Sequence, residues 1–80
     1  MKTFSIKLTR NPQEVVAKFK AAAEKNNFRF NGDDHRGVFN GMGIEGRYDI
    51  EGDILAVTIE KKPMLLGWSM IEGKVRQFIA

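Results

Sequence analysis

The chain holds one histidine, His35, directly after Asp33 and Asp34. An imidazole beside two carboxylates is a donor set for a divalent cation. Three adjacent residues in a turn rarely converge on one ion, and no second histidine can complete a site, so the triplet reads as a polar hairpin tip. Hydroxyl nucleophiles are equally poor candidates. Ser5 and Ser69 are the serines, neither lies in a G-x-S-x-G elbow, and His35 is the only nitrogen base for either. The acidic residues fall on outward strand positions, whereas paired-carboxylate catalysis needs two carboxyls facing each other across a cleft. Gly41, Gly43 and Gly46 spell G-x-G-x-x-G. A dinucleotide loop with that spacing opens a helix after a parallel strand, but these glycines enter a strand with an acidic turn beyond it. They read as backbone conformation. The sequence therefore nominates no catalytic residue, no metal ligand and no cofactor site, and it predicts a protein that is not an enzyme.

The most unusual segment is apolar. Residues 63–68 read "PMLLGW". A helix with one buried face cannot bury Leu65 and Leu66 together with Met64 and Trp68. Either an irregular turn folds this surplus onto the sheet edge, or part of it stays exposed as a docking patch or lines a groove. Met42, Met64 and Met70 add adaptable side chains around it.

Composition narrows the classes further. Eighty residues make one domain, residues 1–80. The hydrophobic fraction of 42% and charged fraction of 29% are those of an ordinary globular chain. With no cysteine, disulfide scaffolds, zinc fingers, iron–sulfur sites and cysteine catalysis are excluded. No apolar run is long enough for a membrane span, and "MKTFSIKLTRN" lacks the apolar core of a signal peptide, so a cytoplasmic location is expected. A chain this short buries roughly 60–65% of its unfolded surface, so nearly every large apolar side chain must serve the core. A deep catalytic cavity would remove part of that core.

The elements that must position these residues follow from periodicity. Phe4, Ile6 and Leu8 alternate with Thr3, Ser5, Lys7 and Thr9, which predicts a half-buried strand over 2–9. Asn11 before Pro12 is an N-cap with proline in the first turn. Val15, Phe19, Ala22 and Ala23 then follow at helical spacing, and Asn26 and Asn27 supply terminators, so a helix is predicted over about 11–26. Phe28 and Phe30 return to period two, "RGVFN" at 36–40 reads as a further strand, and "GMG" at 41–43 as a tight turn or bulge. Ile44, Gly46, Tyr48 and Ile50 alternate with charged residues. Leu55, Val57 and Ile59 alternate again on a last strand over about 54–61, reached through "EGD". Met64, Trp68, Ile71, Val75, Phe78 and Ile79 recur as a helical stripe after Pro63. Two starts fit it: one helix over about 65–79 with a loose first turn, which is preferred, or a clean start at Met70. The order β-α-β-β-β-β-α predicts a two-layer α+β domain: one antiparallel sheet with both helices packed on one face.

Charge is unevenly spread over this order. Residues 1–30 carry seven basic and two acidic side chains, residues 31–60 two basic and seven acidic, and residues 61–80 four basic and one acidic. Complementarity within one small domain accounts for this, or a basic helical face meets an anionic partner. Nucleic-acid binding is not expected, because the basic face is diluted by Glu14 and no string of exposed aromatics is present.

The stretch "GIEGRYDIEGDILAVTI", then "KKP", then W-S-x-I-E-x-K-V-R-x-F-I resembles the small bacterial polyhydroxyalkanoic acid system proteins. Its most specific parts are Gly43, Glu45 and Gly46 as G-x-E-G and the Ile71–Glu72 pair. The resemblance implies a non-enzymatic protein linked with polyester storage granules or their metabolism, and it carries no active-site residues to transfer. The element order also resembles a reduced helix-grip domain. In larger relatives that fold cradles apolar ligands between a C-terminal helix and a curved sheet; in a chain this short only a shallow groove is expected.

Two functions follow as expectations. The first is a binding or interaction module that meets a protein partner or a storage-granule surface through residues 64–68. The second is a carrier or sensor of a small apolar ligand, with Met42, Tyr48, Trp68 and Ile71 lining a helix–sheet groove. Met64, Leu65 and Leu66 complete the candidate binding residues.

Overall fold

In a computed structural model the protein is described over residues 1–79, with side chains through Gln77. The order is β1 (Lys2–Lys7), α1 (Pro12–Lys25), β2 (Arg29–Gly32), β3 (Arg36–Gly41), β4 (Ile44–Glu51), β5 (Ile54–Lys61) and α2 (Trp68–Ile79). The five strands form one antiparallel sheet in the order β1-β5-β4-β3-β2. Four strands run as a meander, and α1 carries the chain from one edge strand, β1, to the other, β2.

The α1 ends follow from its caps. The Asn11 side chain accepts from the Glu14 N–H at 2.9 Å, which satisfies one orphan donor of the first turn. At the other end the Asn26 amide donates to the Ala22 carbonyl at 2.7 Å, and Asn27 takes φ 60° to reverse the chain. The sequence's Asn26–Asn27 terminator therefore works through both a side chain and a left-handed backbone.

The hairpins are equally local. Met42 and Gly43 have φ of 53° and 80°, the pattern of a two-residue type I′ turn, whose twist suits a β-hairpin. Only Gly43 adopts this at little cost; Met42 is strained there. The β3–β4 register closes at Gly41 opposite Ile44, and the β4–β5 hairpin turns through Gly52 and Asp53. Register slips by one residue between Glu45 and Gly46, a β-bulge close to that first turn.

The strands alternate as read. Tyr48 and Ile50 face Val57 and Leu55 across β4–β5, and Phe4 and Ile6 face Val57 and Leu55 across β1–β5. Val15 of α1 and Ile71 and Val75 of α2 join Phe4, Leu8, Tyr48, Ile50, Leu55, Val57 and Ile59 in one buried cluster. The last stripe members, Phe78 and Ile79, lie outside the described side chains.

Several boundaries differ from the periodicity. β1 stops at Lys7, not residue 9, because its partner β5 begins at Ile54: the Leu8 N–H still reaches the Asp53 carbonyl in register at 2.6 Å, but Asp53 already belongs to the β4–β5 turn. β2 begins at Arg29, since Phe28 still belongs to the helix exit: its N–H donates to the Ala23 carbonyl at 2.8 Å. Neither proposed start of α2 is the observed one. Residues 64–67 form a separate turn, closed by the Leu66 N–H on the Pro63 carbonyl at 3.2 Å. The helix opens only at Trp68, with the Ile71 N–H on the Gly67 carbonyl at 3.3 Å. Gly67 thus occupies the cap position, where glycine is well tolerated. Ser69 lies inside the helix, so it does not cap it, and Glu72 pairs forward with Arg76 at 2.8 Å.

Candidate functional site

A groove of about 390 Å³ lies between α1, the sheet and α2. Its floor is aromatic and aliphatic: Phe30, Phe39, Tyr48, Val57 and Ile59 from the strands. Phe19 and Ala22 of α1 form one wall, and Met70, Ile71 and Val75 of α2 the other. Asn26 and Lys74 are the polar side chains at its border. Asn26 is engaged, donating its amide to the Ala22 carbonyl. A smaller hollow of about 170 Å³ lies by residues 6–10, Val15 and Arg76.

Tyr48 organises the floor. It is 1% exposed, and its ring stacks on Phe30 at 5.8 Å and on Phe19 at 5.9 Å between centroids. This ring needs space, and two glycines provide it. A Cβ at Gly37, its cross-strand neighbour, would lie 2.5 Å from Tyr48 Cε1, and one at Gly32 would lie 2.5 Å from the hydroxyl oxygen. The hydroxyl passes over both and donates to the Asp33 carbonyl at 2.7 Å. Burial pushes its pKa up to about 12, and the nearby Asp33 and Asp34 carboxylates act in the same direction. Tyr48 is therefore a neutral donor spent on structure, not a general base.

The sequence's polar candidates resolve as turn chemistry. Asp33 Oδ1 accepts from the backbone N–H of His35 at 2.8 Å and of Arg36 at 3.0 Å, an Asx-type turn. These backbone donors, Arg36 first, hold the Asp33 carboxyl below the usual carboxylate range. Asp34 instead receives the Gln13 amide at 3.0 Å. Among the described residues, no group of three His, Asp or Glu side chains could hold a metal ion. The glycine pattern also separates into distinct tasks: Gly43 turns the chain, while Gly41 and Gly46 lie against the rings of Phe28 and Phe39.

Of the seven candidate binding residues, Met42, Tyr48, Leu66 and Ile71 come together in the groove lining. Met64 and Leu65 do not; they are 94% and 99% exposed. Trp68 stands outside it as well. Its ring is covered by two ammonium groups, Lys62 Nζ at 5.2 Å and Lys2 Nζ at 6.0 Å from the centroid. Lys2 reaches it because β1 places residue 2 opposite Ile59 on the inward side. Sequence reasoning missed Phe19, Phe28, Phe30, Phe39 and Met70 as lining residues. Part of their signal was present: Phe19, Phe30 and Phe39 fall on the inward positions of their helix and strands, packed against the core.

The chain matches no known family model, no curated protein and no solved structure.

Proposed function

We propose that the chain is a non-enzymatic binding module that holds a small apolar ligand in the groove between its helices and its sheet. The observation that carries this reading is the groove itself. A domain of 80 residues needs its large apolar side chains for stability, yet this one leaves about 390 Å³ unfilled among seven aromatic or methionine side chains and their aliphatic neighbours. Pockets for small molecules span roughly 300–1,000 Å³ and are lined mainly by apolar groups. The volume suits a short hydrocarbon chain or a single ring system.

Decanol is a suitable probe, because it offers apolar surface without charge. Titration followed by methyl NMR is expected to give saturable binding that shifts Ile44, Val57 and Ile59. Ala22→Leu, which adds volume at a half-buried wall position, is expected to abolish it while the fold persists. Absence of saturable binding, or binding unchanged in folded Ala22→Leu protein, rejects the reading.

A second reading is favoured by Met64 and Leu65, which stand almost fully exposed on the turn between Pro63 and Gly67. They fit the contact surface of an interaction module, with a protein partner or a storage granule as the surface met. The resemblance to polyhydroxyalkanoic acid system proteins supports the granule in this reading.

A further inference from the structure

The two turns of this fold that carry exposed methionine or leucine side chains lie together. A Cβ at Gly43 would come within 3.0 Å of Pro63, so the Met42–Gly43 turn abuts the start of the 63–67 connection. Met42 is 75% exposed, and Met64 and Leu65 are nearly free of contact. Lys2, Lys61 and Lys62 stand at the same end of the sheet, two of them over Trp68. Of the carboxylates there, Glu60 is 3.8 Å from Arg47, while Glu45 is Lys61's neighbour in strand register. In an antiparallel meander, alternate connections fall at alternate ends. Asp33, Asp34, Glu51 and Asp53 therefore occupy the far end, where His35 and Asp53 carbonyls receive the N–H groups of Ile50 and Leu8. The tip is thus apolar and flanked by lysines, and the opposite end gathers four carboxylates, with Lys7 3.9 Å from Asp53 and Arg36 next to the Asp33 turn.

From this arrangement we infer that the Met42 and Met64–Leu65 tip docks on an anionic lipid surface, with the two apolar side chains of the 63–67 turn inserted among the acyl chains. It rests on the second reading above, which treats the tip as a contact surface, and it names what is contacted. Exposed aliphatic side chains gain by leaving water for the interface, lysines beside them meet the lipid phosphates, and a tryptophan at the border suits the headgroup layer. The apolar side chains and lysines of the tip orient it toward the lipid, with the Asp33, Asp34, Glu51 and Asp53 carboxylates at the end that faces away. Met42, Leu66 and Met70 line the groove as well, so its mouth opens beside the docked tip.

Sedimentation with vesicles of phosphatidylcholine alone, or of phosphatidylcholine mixed with phosphatidylglycerol, tests this at low ionic strength. The protein is expected to sediment with the mixed vesicles, to stay in solution with the neutral ones, and to show a shift in Trp68 emission. Met64→Asp with Leu65→Asp is expected to weaken sedimentation at least ten-fold. Lys61→Glu with Lys62→Glu is expected to abolish the preference for anionic lipid. Both positions of the first pair are exposed, so unchanged circular dichroism confirms that the fold is intact. No binding to the mixed vesicles, or binding indifferent to the aspartates, overturns the inference. The contact-surface reading is separable: it survives a vesicle failure if the aspartate variant still alters the protein's partition between soluble and particulate fractions of disrupted cells, and it falls if that partition is unchanged.

Discussion

The Tyr48 hydroxyl donates to the backbone carbonyl of Asp33, 15 residues earlier in the chain, at 2.7 Å. One side chain of β4 thereby pins the loop joining β2 to β3, and its ring crosses β3 only because Gly37 has no side chain. The floor of the groove and the far hairpin are held by the same residue.

Removing the hydroxyl separates these two roles. Tyr48→Phe keeps the stacked ring and leaves the Asp33 carbonyl without its partner, so a loss of about 1 kcal/mol is expected in urea denaturation. Gly37→Ala drives a methyl into the ring and should lower stability by about 1–3 kcal/mol, with displaced Tyr48 resonances. Equal stability of Gly37→Ala and the parent would show that the close approach is not a constraint.

Alkaline titration reads the burial of the same residue. Tyr48 is the single tyrosine, so tyrosinate absorbance reports it alone. In the fold its pKa is about 12, against an ordinary value of 10.0, because ionisation would place an anion in an apolar site facing two aspartates. A raised pKa means that the contribution to stability is complete below the unfolded value and is lost as pH rises from there through the folded one. Folded protein should therefore titrate near pH 12, the unfolded chain near 10.0, and stability should fall across that interval.

The Asx turn responds at the acid end. Asp33 is held ionised by backbone donors from Arg36 and His35, so its stabilising effect on the loop is present above the unfolded value of 3.8 and disappears as pH falls through the lower folded value. Carboxyl NMR titration should place Asp33 below the ordinary value of 3.8. In Asp33→Ala protein the His35 and Arg36 amides should exchange with solvent faster at neutral pH.

Two leucines separate core from tip. Leu55 is 0% exposed, and Leu55→Ala should cost about 2–5 kcal/mol in chemical denaturation. Leu65 is 99% exposed, and Leu65→Ala should change stability by less than about 0.5 kcal/mol. A large loss at Leu65 would mean that the turn is covered in solution by another part of the chain.

The local grammar of the chain was legible without coordinates. Asn11–Pro12 starts α1 and Asn26–Asn27 ends it because caps act within a few residues. The inward faces of β4 and β5 follow from alternation, because a strand's two faces differ by one residue in phase. The start of α2 was misread because a stripe of apolar residues has the same spacing whether its first members lie in a helix or in a turn before it; the Leu66 N–H chooses the Pro63 carbonyl, and that choice is invisible in the spacing.

What only the tertiary structure decided is adjacency. Periodicity states which way Phe4, Phe30 and Tyr48 point, but not that β1 lies beside β5 or that Lys2 reaches the Trp68 ring. Hydrophobicity along the chain ranks residues by how much they gain from leaving water; it does not say which neighbours are near enough to exclude it. Leu66 and Leu65 are chemically identical and adjacent, yet one borders the groove and the other faces solvent, because the turn between Pro63 and Gly67 can direct only one of them inward.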